Sequence, residues 1–189
     1  GHTVDEMCSM QKAAYLGFKA GSADVTVGWN AYAGVPTPLH TRGVLANETW
    51  PYFDSYNIHT YEWPASYLNL RKPVIEAACG KPVWVTEADR GISYETGEPW
   101  FDISLENERH KAEYIGQSYA MSLFAGATRH FHFILGHYTE HHNSIQFGLL
   151  RLDMKGVHDM AFGFATCREF GADKAGNSAS GCRSHLDRH

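Results

Sequence analysis

The sequence predicts an α/β chain that supplies about half of a (β/α)8 barrel. Three observations carry this expectation. Segments of helical and of strand-like hydrophobic periodicity alternate along the chain. A leading helix is followed by repeated strand and helix, which implies a parallel sheet with helical crossovers. Four such units in 189 residues fall short of the roughly 250 residues of a complete barrel.

The elements follow in chain order. In "VDEMCSMQKAAYLGFKA", Met7, Met10, Ala14 and Phe18 recur at helical spacing and Gly21 supplies a stop. "ADVTVGW" alternates Val25 and Val27 against Thr26, a short strand ending at Trp29 and Asn30. A loop rich in Gly and Pro comes next. "FDSYNIHTY" (53–61) reads as the second strand, and "RKPVIEAACG" (71–80) as a helix with Pro73 near its start and Gly80 past its end. "PVWVTE" is the third strand. The segment from Ser104 to Ala125 is the clearest helix, with Ser104 as N-cap, Gly126 as terminator, and Ala112, Ile115, Tyr119 and Leu123 as its buried stripe. "RHFHFIL" (129–135) is the fourth strand and "DMAFGFATCREFG" a closing helix. Residues 1–171 thus form the partial barrel domain. Residues 172–189 lose the apolar pattern and read as a disordered tail.

A half barrel leaves two sheet edges unpaired. The partner expected on them is the missing N-terminal half of the barrel or a second copy of the chain. The sequence starts without Met, and "GHTVDEMCSM" is no signal peptide, so the true beginning is expected to be missing.

Composition narrows the partner further. A net charge of -5 without a basic run argues against nucleic acid or an anionic membrane, and no stretch approaches the roughly 20 apolar residues of a membrane span. A neutral small molecule or polymer suits the chain better. Cys8, Cys79, Cys167 and Cys182 lie far apart with no CxxC pair, which excludes zinc-ribbon and thioredoxin motifs and predicts buried reduced thiols.

In parallel α/β folds the ligand sits at the carboxyl ends of the strands. Glu87 falls at such an end, as do Trp29 and Asn30, His59 and Tyr61, and His137 and Tyr138. Period-two alternation puts Asn57, His59 and Tyr61 on one face of their strand, and Val83, Val85 and Glu87 on one face of theirs. If both faces point into the barrel, His59, Tyr61 and Glu87 converge at its mouth. A rival constellation, "GHYTEHHNS", offers His137, Glu140, His141 and His142 to a transition metal, but the glycine and "NS" make it a loop without helical spacing. "GQSYA" (116–120) has the outline of a nucleophile elbow, yet it falls inside a helix instead of on a strand-to-helix turn.

"YFDSYNIHTYEWP", then "KPVWVTEADRG", a long helix, "AGATRHFHFILGHY" and "FGLLRLDMKGVHDMAFGFA" together resemble the C-terminal half of a clan A glycoside hydrolase. The resemblance spans almost all of the chain before the tail and implies strands five to eight of the barrel. It implies that Glu87 is the nucleophile of a retaining enzyme acting on β-linked glycans, with His59 and Tyr61 beside it. Trp29, Trp63 and Tyr138 would stack on sugar faces, with Asn30 and His137 as further substrate contacts, and no cofactor or metal is implied. The Asn-Glu pair that carries the acid/base in that clan is absent, which places the acid/base outside this chain. A retaining site needs both carboxyl groups, about 5 to 5.5 Å apart. The alternatives are a non-catalytic carbohydrate-binding barrel or inactive fragment, and a metal-dependent hydrolase built on the His137–His142 loop.

Overall fold

A computed structural model describes residues 2–29, 32–33, 36–93, 104–140 and 145–150. Its centre is an open, fully parallel sheet in the order β1-β2-β3-β5, formed by β1 (Tyr32–Ala33), β2 (Tyr56–Thr60), β3 (Val83–Ala88) and β5 (Arg129–His130). Beside it lies a small antiparallel sheet, β4-β7-β6, formed by β4 (Ile92–Ser93), β6 (Tyr138–Glu140) and β7 (Ile145–Phe147). Four helices complete the described residues: α1 (Val4–Gly21), α2 (Pro38–Ala46), α3 (Tyr67–Ala78) and α4 (Leu105–Phe124).

Among the described residues no barrel closes, which corrects the predicted (β/α)8 architecture: β1 and β5 are the two ends of an open sheet there. The alternation of strand and helix specifies parallel pairing, but it says nothing about closure. The antiparallel sheet has no counterpart in the expected unit order. Its strands are two or three residues long, too short for periodicity to register.

One core binds the parallel sheet to its helices. Tyr56 and Ile58 of β2 and Val83 and Val85 of β3 are buried against Cys8 of α1, Val44 of α2, and Tyr67, Val74, Ala77 and Ala78 of α3. Burial along β2 alternates strictly between buried and half-buried residues, the signature of a sheet covered on one face. The opposite face, carrying Asn57, His59 and Trp84, is half-buried.

Several local expectations shift. Val25 and Val27 form no strand; only Gly28 bridges to Ser55, and the first strand comes later, at Tyr32–Ala33. The Gly- and Pro-rich loop contains α2, started by Thr37, whose hydroxyl accepts from His40 N, and by Pro38 at its first turn. On α1 the inward face is that of Cys8 and Gln11, leaving Met10 and Phe18 more than half exposed. Gln11 is turned inward because its amide donates to the Gly28 and Tyr52 carbonyls, at 3.1 and 2.9 Å. Helix α4 has the predicted Ser104 cap, 3.3 Å from Asn107 N, and Ala112 of the expected stripe is buried, but the rest of the buried face is polar: Glu108, Lys111, Tyr114, Ser118 and Ser122 face inward while Leu123 is exposed. Cys8 is a buried free thiol as expected, whereas Cys79, in the left-handed conformation after α3, is exposed. The predicted closing helix and the tail lie outside the described residues.

Candidate active site

The third strand contains an irregularity that decides where Glu87 points. Val85 pairs with Ile58, and the next pair is Glu87 with His59, so Thr86 is an extra residue in β3. Its hydroxyl lies 3.3 Å from the Ile58 carbonyl. Unbroken alternation would send Glu87 to the side of Val83 and Val85, beneath the helices. The bulge turns it over, so that it shares the face of His59, and Ala88 resumes the buried side. The predicted convergence therefore holds by a route opposite to the one expected.

Three side chains meet there. The Tyr61 hydroxyl donates to Glu87 Oε2 at 2.6 Å, and His59 Nδ1 lies 3.1 Å from the same oxygen. Oε1 has no hydrogen-bond partner among the described residues. Burial, then the hydrogen bond and the negative charge of Glu87, hold the Tyr61 phenol well above its ordinary pKa. Tyr61 is consequently a fixed donor. Its ring is held edge-on by Phe133 and Phe147, with centroids 6.1 and 5.7 Å away. Tyr138 rests on the same two phenylalanines from β6, and its hydroxyl donates to Glu140 at 3.3 Å.

Next to this group lies a cavity of about 250 Å³ lined by Tyr61, Glu62, Trp63 and Arg90. Trp63 is 60% exposed on its wall, and the Arg90 guanidinium carbon stacks 3.6 Å from the Trp63 ring centre.

The other predicted residues divide. Trp63 and Tyr138 reach the site. Trp29 does not: it is 1% exposed, stacked on Tyr56 and packed edge-on against Phe53. That corrects its assignment as a sugar platform: the strand expected to end at Trp29 does not form, and a large aromatic is commonly buried for packing alone. His137 Nδ1 lies 2.7 Å from Gln146 Nε2 in the antiparallel sheet. Asn30, His141 and His142 lie outside the described residues, and among those residues no three His, Cys, Asp or Glu side chains gather closely enough to hold a metal ion.

Behind Glu87 sits a second polar group that pattern reasoning missed. Asp89 is completely buried. Lys111 Nζ lies 3.8 Å from Asp89 Oδ2 and donates to the Gly148 carbonyl at 2.8 Å. His132 Nε2 lies 3.6 Å from Asp89 Oδ1, and Arg90 N donates to that oxygen at 2.6 Å. Burial pushes the Asp89 carboxyl up to about 7, the Lys111 ammonium down, and the His132 imidazole down to about 3, each toward its neutral form. Lys111 thereby ties α4 to the residue after β7, and so fixes Phe147 under Tyr61. Gly148 itself has φ +107, and a Cβ there would strike the Gly136 carbonyl. The only sequence signal for this group was a lysine within a helix face otherwise read as apolar.

No protein-family model matches the chain, and no curated protein matches it.

Proposed function

We propose that the chain carries the nucleophilic half of a retaining glycosidase site acting on β-linked sugars, with Glu87 as nucleophile. The observation that supports this reading is the division of labour between its oxygens. Tyr61 and His59 both load Oε2, which fixes the carboxylate plane and leaves Oε1, unbonded among the described residues, to attack an anomeric carbon. A carboxylate that merely stabilised a turn would be bonded to backbone N–H groups; Glu87 is bonded to two side chains of the neighbouring strand's end. Tyr61 would then remain within reach of the ring oxygen side of the developing oxocarbenium ion and stabilise charge on Glu87 as it departs.

The proton-donating carboxyl group is left outside this chain, as the resemblance to clan A glycosidases implies. The test is chosen accordingly. Dinitrophenolate departs without being protonated, so a 2-deoxy-2-fluoro-β-glycoside with that leaving group needs only the nucleophile. Incubation followed by peptide mass mapping is expected to find one sugar on the peptide containing Glu87, and none in Glu87→Gln. Labelling elsewhere, or none with any of the common β-hexosides, would remove the proposal and favour a carbohydrate-binding role without catalysis.

A further inference from the structure

The cavity beside Glu87 contains a cation with no anion paired to it among the described residues. Arg90 forms no ion pair with any carboxylate of the described residues, and its Nη1 is buried without a hydrogen-bond partner there. A guanidinium on the cavity wall with no anion paired to it among the described residues suits one that arrives from outside, received on the N–H groups other than the enclosed Nη1. Stacking on Trp63 uses the flat face of the guanidinium and leaves the in-plane fork of Nε–H and Nη2–H, which does not involve the enclosed Nη1, for a ligand. That fork matches the two oxygens of a carboxylate. Tyr61 belongs both to the cavity wall and to the Glu87 cluster, so a sugar ring filling the cavity also touches the proposed nucleophile's partner.

From this juxtaposition we infer that the site takes a uronic acid, with Arg90 receiving the sugar's carboxylate while Glu87 faces its anomeric carbon. The inference rests on the glycosidase reading and narrows it to acidic glycans. Glu62 lines the same cavity but is exposed and unpaired with Arg90. It acts as a mild electrostatic opponent, and Glu62→Gln strengthens uronate binding.

The experiment compares dinitrophenyl β-glucuronide with dinitrophenyl β-glucoside, and titrates free glucuronic and galacturonic acid by calorimetry. The wild-type chain favours the glucuronide in kcat/KM by about tenfold or more, the range expected for a charge-assisted hydrogen-bonded pair. Arg90→Met abolishes that preference by costing the glucuronide far more in kcat/KM than the glucoside, since only the uronate carries a carboxylate for the guanidinium. Arg90→Lys, which keeps the charge and loses the fork, restores only part of the preference, and it decides the matter on the same ratio if Arg90→Met does not fold. Equal handling of both glycosides, an equal loss of both in Arg90→Met, or a preference for glucoside 6-sulfate over the glucuronide would overturn the assignment. Turnover of the glucoside without uronate preference leaves the Glu87 reading standing and defeats this one. Arg90-dependent uronate binding without turnover of either glycoside does the reverse.

Discussion

Glu87 and Asp89 are carboxylates two residues apart at one strand end, and they live in opposite surroundings. Glu87 is about one-third exposed, with a phenol and an imidazole on one oxygen and no partner for the other among the described residues. Asp89 is wholly buried, faces an ammonium and a neutral imidazole, and is driven toward protonation. The contrast teaches that residue type does not assign a role. Access and the number of unused lone pairs do: Glu87 can accept a new bond without losing an old one, whereas Asp89 is enclosed and holds the backbone that supports its neighbour.

The largest separation between the two should be in turnover. Glu87→Gln keeps shape and the Tyr61 contact but removes the proposed nucleophile, so on that proposal hydrolysis of an activated β-glycoside falls by at least about 10⁴-fold. Its melting temperature stays close to that of the parent, because the side chain is partly exposed and contributes little packing. Asp89→Asn gives the inverse pattern, with a lower melting temperature and kcat reduced far less. Equal effects on kcat in the two variants would erase the distinction.

Stability sharpens the comparison next. Lys111→Met removes the lysine that faces Asp89 and releases the Gly148 carbonyl. The expected loss is about 3 to 5 kcal/mol, the usual penalty for orphaning a buried ionisable group. The double variant Lys111→Met, Asp89→Leu should recover most of it, as apolar replacements of buried pairs commonly do. Chemical denaturation of the two proteins provides the measurement, and a single variant as stable as the wild type would show that the pair contributes nothing.

How far the molecule could be read from its residues follows from the same physics. Parallel strands at 56–60 and 83–88 and the long capped helix were legible from strong period-two and helical patterns, and the grouping of His59, Tyr61 and Glu87 from the strand-end rule, since alternation alone aimed Glu87 at the other face. The bulge at Thr86 was not, since an extra residue leaves no mark on composition and only the pairing register reveals it. Trp29 was misplaced because its strand did not form, so the alternation that aimed it outward never existed. Arg90 and Asp89 stood in plain view in "EADRG", but their roles depend on Trp63, Lys111 and His132, residues distant in sequence that only the folded chain brings near. Closure of the sheet failed as an expectation for a related reason: crossover order fixes neighbours, not curvature.

The smallest effect is one that the wild-type chain should hide. Asp89 titrates near 7 when folded and near 3.9 when unfolded, so the folded chain binds more protons and stability falls as pH rises from about 4 to 7. His132 titrates near 3 when folded and near 6.5 when unfolded. There the unfolded chain binds more protons, and stability rises with pH across about 3 to 6.5. Lys111, lowered by the same burial, contributes on the alkaline side, as pH climbs toward its unfolded value of about 10.4. Between pH 4.5 and 6.5 the two slopes oppose and nearly cancel. Removing one partner exposes the other: in His132→Asn stability declines across that interval, and in Asp89→Asn it climbs, by up to about 2 to 3 kcal/mol in each case. Both variants are less stable than the parent at every pH, so the diagnostic is the sign of the slope in a series of thermal melts. Two variants with parallel profiles would mean that Asp89 and His132 do not share a buried electrostatic environment, and the contrast between Asp89 and Glu87 would lose its physical basis.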